Sequence, residues 1–360
     1  MLRKFSIFII FIFVLLGATY FFSKNHHIDA DKKIKIGFVM PLTGDWGFIG
    51  QDAKDLVLSA FENMPDKQNK YELIFEDYAF DAKKAALAAN KLIYVDKVDV
   101  MISLFSNAGL IINPIAEENK TMHICVDNVK AVANGKYNFV HGAMEDKVTD
   151  HLAKEISVRG NKSATVLSLK DPWAVNLLKE FVPNLQKYNV VVKDVFEFNP
   201  GEKDFRTTIS KAMNNNPDIY VLLTFDPSMT LLLRQFNERG VGNDKFTGFE
   251  SFSVIENKKM AEGIWFINMN VPNKEFVEYY KEKIGRTPNT FASYVFNVFA
   301  MVDTAYEKAN YSPDILNIFN NLVIETPIGK TKVSEDGVIE IGSTIDVVKN
   351  GEIETIMQLQ

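Results

Sequence analysis

The sequence predicts an α/β protein of two doubly wound, Rossmann-like lobes joined by short crossings that act as a hinge. Three observations carry that prediction. Apolar strand-like runs alternate with amphipathic helical ones over residues 34–126, and the same rhythm restarts at residue 163. At 360 residues the chain exceeds what one hydrophobic core usually supports. No low-complexity linker divides the two runs, so the chain passes between lobes through short connections.

The first unit reads IKIGFVMPLTGDWGFIGQDAKDLVLSAFEN. Ile34, Ile36, Phe38, Val39 and Met40 make a buried strand, and Pro41, Gly44, Gly47 and Gly50 break it. Ala53, Leu56, Val57, Ala60 and Phe61 then mark one face of a helix. The loop between them carries Thr43, Trp46 and Phe48 beyond the carboxyl end of a strand, where an open α/β sheet puts its ligands.

Residues 71–76 alternate as a strand, and residues 81–95 form an alanine-rich helix with Asp81 as N-cap. Residues 98–104 are a third strand. Ser106, Asn107, Ala108 and Gly109 turn into a helix that ends near Lys120, and residues 122–126 are the fourth strand. Such closely spaced strand-helix steps require a mostly parallel sheet covered on both faces. A strand over 137–144 leads into a helix over 147–158. The second run follows with strands ATVLSL, VVVKDVFEF and 218–225, and with helices at 173–188, 204–214 and 227–239. Pro227 falls in the first turn of the last helix, where its missing N–H costs nothing, and Gly240 closes it. A short strand at 245–248 points at Phe249, Glu250 and Ser251.

Residues 263–269 read as a strand that crosses back, followed by helices at 273–284, 290–310 and 312–321. The tail is short strands, with Asn350 and Gly351 as a hairpin turn. These patterns divide the chain into a leader over 1–30, a first lobe over 31–143 plus 271–326, and a second over 144–270 plus 327–360.

The leader begins with Arg3 and Lys4 and continues as a nearly unbroken apolar run over 5–22. It reads as an export signal, cleaved or kept as an anchor, because its apolar core sits at the lower edge of spanning length. Export puts the folded chain in the periplasm. Cys125 is the only cysteine, so no internal disulfide and no lipid-anchoring cysteine after the apolar run is expected. Its HIC setting reads as a buried, inert thiol.

A formal net charge of -6 gives no basic footprint for nucleic acid. The 28 Phe exceed ordinary usage and go to core packing and a sticky cleft. The sequence holds no phosphate-cradling loop, GxGxxG, GxSxG, HExxH or CxxC, and the histidines at 123, 141 and 151 lie in apolar or helical settings. Neither an enzyme nor a cofactor nor a metal is expected.

Four segments carry a family likeness: IKIGFVMPLTG with Gly50 and Gln51, VDVMISLFSNAG leading to PIAEENK, GEKDFRTTISKAMNNNPDIYVLL, and MTLLLRQFNERG leading to FTGFES. From about Ile34 to its end the chain resembles the type I periplasmic solute-binding proteins of ABC transporters, in particular the leucine/isoleucine/valine-binding branch. The resemblance implies a three-crossing hinge and a ligand held between two closing lobes. It implies that Trp46 and Phe48 supply the first-loop contact, and that Ser106, beside Asn107, holds a ligand carboxylate. It implies that Trp173 and Phe225, beside Asp226, give aromatic contacts, and that Glu250 binds the ligand's ammonium. Where amino-acid binders of the family carry small Ala or Thr residues after the fourth strand, this chain has Val126, Asp127 and Asn128. A negative Asp127 repels a carboxylate, which leaves an amide, a polyamine-like cation or an unusual amino acid open beside an apolar or aromatic one. The implied partners are that small solute and the permease subunits of an ABC transporter; a membrane-anchored sensing module is the alternative. Membrane contact is expected only through the N-terminal segment.

Overall fold

The computed structural model describes residues 33–312 and 314–359; the expected signal or anchor lies outside the described residues. Among them no helix is long and apolar enough to cross a membrane. The chain opens as β1 (Ile34–Met40), α1 (Gly47–Glu62), β2 (Tyr71–Asp77), α2 (Ala82–Asn90), β3 (Val100–Leu104), α3 (Ser106–Asn119), β4 (Met122–Val126) and β5 (Asn138–Gly142). It continues as α4 (Glu145–Val158), β6 (Ser163–Leu169), α5 (Pro172–Lys187), β7 (Val191–Phe198), α6 (Arg206–Asn214), β8 (Ile219–Leu223), α7 (Ser228–Asn237), β9 (Phe246–Gly248) and β10 (Trp265–Met269). It then returns through α8 (Lys274–Ile284), α9 (Thr290–Lys308), β11 (Val323–Thr326), β12 (Gly329–Val333) and β13 (Val338–Glu340). It ends on β14 (Ser343–Lys349) and β15 (Glu352–Leu359).

The first lobe is an eight-stranded sheet of order β11-β12-β13-β5-β4-β3-β1-β2. Its six strands from β13 to β2 are parallel. Ile36, Phe38, Val39 and Met40 of β1 are fully buried, as a strand covered on both faces requires. The second lobe holds the parallel sheet β7-β6-β8-β9 and beside it the antiparallel sheet β10-β14-β15, the two joined where Thr247 donates to the Trp265 carbonyl at 2.8 Å. Helix starts follow the sequence closely. Asp81 caps α2 by accepting the Lys84 N–H at 2.9 Å, and Asn350 (φ 55°) with Gly351 (φ 74°) makes the β14–β15 turn.

Three strands of chain pass between the lobes, at 143–144, 270–273 and 341–342. The last two run side by side, Asn270 N–H donating to the Gly342 carbonyl at 3.2 Å. This corrects the expected lobe boundary. Residues 327–360 do not all belong to the second lobe, because β12 and β13 extend the first lobe's sheet and Val338 pairs with Val140. A period-two apolar pattern specifies a strand but not which sheet it joins. Residues 263–269 likewise do not cross back; β10 stays in the second lobe, with Trp265 opposite Val347, and the crossing follows it. Pro227 stands just before α7, as its N-cap, rather than inside the first turn.

Helices α8 and α9 lie on the first lobe and lock α1 in place. Asp52 accepts the Tyr280 hydroxyl at 2.6 Å, the Arg286 Nε at 2.7 Å and the Asn289 N–H at 2.8 Å. Gly50 lets α1 approach the preceding loop, since a Cβ there would lie 2.1 Å from the Pro41 carbonyl oxygen.

Candidate functional site

The carboxyl ends of β1 and β3 in one lobe face those of β6, β8 and β9 in the other, and the loops that leave them meet in a cleft. Asp77 at the end of β2 pins the first loop by accepting the Leu42 N–H at 2.8 Å and the Thr43 hydroxyl at 2.5 Å. That anchor holds Trp46 at the N-terminus of α1. The Trp46 ring stacks on Phe80 (4.3 Å, 7°) and meets Phe225 of the other lobe edge-on at 4.6 Å. Phe225 in turn touches Trp173 at 4.6 Å, and Phe105 packs against Phe225 and Phe291 at 6.2 and 4.9 Å. The rings close around a cavity of about 10 Å³, room for about one water molecule.

Three carboxylates complete the lining, and among the described residues no lysine, arginine or histidine joins it. Asp127, just after β4, accepts the Ser106 N–H at 2.6 Å through Oδ2 and the Asn128 and Val129 N–H groups at 2.7 and 3.0 Å through Oδ1. Asp171 caps α5 by accepting the Ala174 N–H at 2.8 Å. Glu250, in the turn after β9, accepts the Trp173 indole N–H at 3.0 Å and the Asn128 amide at 3.2 Å, both through Oε1. Loss of water raises all three carboxyls. Asp127 is pushed up to about 6, Asp171 and Glu250 to about 7, each against the pull of its own donors, while Asp127 repels the other two. The cavity is thus apolar in its walls, acidic in its polar groups and short of positive charge.

Residues 33–348 match the periplasmic binding protein family. The chain belongs to that family. It is 22% identical over 350 residues to a Leu/Ile/Val-binding protein homolog of Brucella melitensis, covering 90% of this chain and 92% of that protein. It is 24% identical over 324 residues to a leucine-, isoleucine-, valine-, threonine- and alanine-binding protein of Pseudomonas aeruginosa, covering 84% and 86%. The crystal structure of a leucine-binding protein from Thermotoga maritima superposes with a TM-score of 0.82 at 23% identity, over 91% of this chain and 99% of that one. These relatives are binding proteins and not enzymes, and membership in the family implies a place outside the cytoplasm.

In this periplasmic binding protein seven of the residues singled out from sequence line the cavity: Trp46, Ser106, Asn107, Asp127, Trp173, Phe225 and Glu250. Asn128 stands behind it, holding Glu250. Phe48 and Asp226 do not reach it. Phe48 is 43% exposed and faces a separate open depression of about 700 Å³, because the step from Trp46 into α1 turns the side chain away. Asp226 is occupied elsewhere, accepting the Thr230 N–H and hydroxyl at 3.0 and 2.7 Å and the Glu256 N–H at 2.7 Å. Free N–H groups at the start of α7 compete for that carboxylate and win.

Phe80, Phe105, Asp171, Pro172 and Phe291 line the cavity without having been read from sequence. A signal existed for Asp171, since an aspartate before Pro172 and Trp173 is an N-cap pattern at the start of a helix already assigned to the cleft. Phe105 had none: it sits at φ 74°, a conformation unfavourable for an aromatic residue and set by the close β3–α3 turn. Cys125 is buried, its thiol directed at the Phe105 carbonyl at 3.5 Å and pushed well up by burial.

Proposed function

We propose that this chain captures a small amine-bearing solute in the interlobe cleft and hands it to the permease of an ABC transporter. The observation that carries the reading is Glu250, whose Oε1 is held by two donors while the carboxylate faces an enclosed aromatic cavity. A buried carboxylate in such a setting makes a charge-assisted hydrogen bond to an ammonium, stronger than a neutral one. The Trp and Phe rings supply surface for an apolar or aromatic body. The names of the relatives support amino acids of that kind, and their family supports delivery to a permease.

Titration calorimetry on Glu250→Ala tests the reading. The variant is expected to keep the fold and to lose amine affinity by roughly a hundredfold or more, about 3 kcal/mol. Unchanged affinity overturns the role of Glu250. Mass spectrometry of the solute that co-purifies with the wild-type chain identifies the ligand directly.

A further inference from the structure

At two helix N-termini beside the cleft, a carboxylate of the chain itself takes a first-turn N–H. Asp127, 3% exposed, takes the Ser106 N–H at the start of α3. Asp171, 9% exposed, takes the Ala174 N–H at the start of α5. Several side-chain donors beside them are committed as well. The Trp173 indole and the Asn128 amide are spent on Glu250 Oε1, and Asn107 accepts the Tyr78 hydroxyl at 2.8 Å while its amide reaches the Phe80 carbonyl at 3.4 Å. An entering ligand carboxylate therefore meets three acidic side chains and, among the described residues, no cationic side chain in the cavity lining.

Glu250 presents the opposite case. The residue is 3% exposed and lines the cavity, and among the described residues no other residue donates to its Oε2. An ammonium brought to that oxygen makes a charge-assisted hydrogen bond that no other described residue of the chain supplies there. The ring faces beside it attract a cation through their quadrupoles.

We propose that the cleft selects amines that carry no carboxylate: a primary ammonium seated on Glu250 Oε2, its aliphatic or aryl body among the rings of Trp46, Trp173 and Phe225. Asp127 stands in the place a ligand carboxylate would need and takes the Ser106 N–H that would have bound it. This inference rests on the amine-binding reading above and narrows it.

Matched pairs test it on the full chain by calorimetry: 3-methylbutylamine against L-leucine, and 2-phenylethylamine against L-phenylalanine. Members of each pair differ only in the carboxylate. At least one amine is expected to bind at least about tenfold more tightly than its amino acid. Asp127→Ala, which frees the Ser106 N–H and removes one negative charge, is expected to shift that ratio toward the amino acid by about tenfold or more. If the amino acids bind as well as or better than the amines to the wild-type chain, this inference is overturned and the amine-binding reading stands. If none of the four binds, the amine-binding reading falls and takes this inference with it. A preference unchanged in a folded Asp127→Ala protein removes Asp127 from the explanation.

Discussion

Glu250, Asp171 and Asp127 titrate near neutrality because they are buried together, and this gives the ligand-free protein a definite pH response. A carboxyl raised from its ordinary range to about 6 or 7 contributes stability that is fully present in acid and lost as pH rises through the raised value. His123 and His141, held down to about 4 by burial, act the other way: their contribution is present above about 6.5 and lost as pH falls toward 4. Their windows part company above pH 6.5, where the raised carboxyls still titrate, Glu145, likewise pushed up to about 7 by burial, among them. The melting temperature of the ligand-free protein is therefore expected to fall between pH 6.5 and 8. Glu250→Gln, which removes a charge that Asp127 repels, should flatten that fall and stabilise the protein at pH 8 by on the order of 1–3 kcal/mol. Amine affinity has the reverse slope, rising through about pH 7 as Glu250 ionises. Thermal melts and calorimetry at pH 6, 7 and 8 check both signs; a flat wild-type profile would remove the three carboxyls from the explanation.

Elements matter through how they hold the cleft loops. Helix α1 carries Trp46 at its N-terminus, and Asp52 ties that helix to α8 and to the start of α9 through Tyr280, Arg286 and Asn289. Asp52→Ala leaves the hydroxyl of fully buried Tyr280 and a backbone N–H without partners. It should cost about 2–4 kcal/mol, read as a lower denaturation midpoint at unchanged slope. An unchanged midpoint would mean that ring and helix packing alone hold α1. Local signals predicted such elements well where the cause is local. The Asp81 cap and the turn at Asn350 and Gly351 depend on residues within a few positions of each other.

For the whole molecule, the two lobes touch through Trp46 on Phe225 and Asn128 on Glu250, and the space between them holds little more than one water. A ligand must part these contacts to enter, and it favours whichever lobe arrangement it binds better. Trp46 and Trp173 both border the cleft, whereas Trp265 lies outside it with Arg159 4.3 Å over its ring. Ligand addition should therefore shift tryptophan emission in the wild-type chain and in each of Trp46→Phe and Trp173→Phe. The double variant, left with Trp265, should lose the shift. A full shift in the double variant would place the ligand or the motion elsewhere.

By itself the sequence determined the two-lobed α/β architecture, the parallel core and most of the cleft loops, because strand and helix periods, caps and breakers act over a few residues. Through its family likeness it also singled out Trp46, Ser106, Asn107, Asp127, Trp173, Phe225 and Glu250. The tertiary structure alone decided that β12 and β13 join the first lobe and that Phe80, Phe105 and Phe291 converge on the cavity. It alone decided which acceptor each donor serves: Asp127 on Ser106, Asp226 on Thr230 rather than the cleft, Asn128 on Glu250 across 122 positions of sequence. The reason is physical. A hydrogen-bond donor or a ring face goes to the best partner that folding brings near, and that competition is run between segments far apart in the chain.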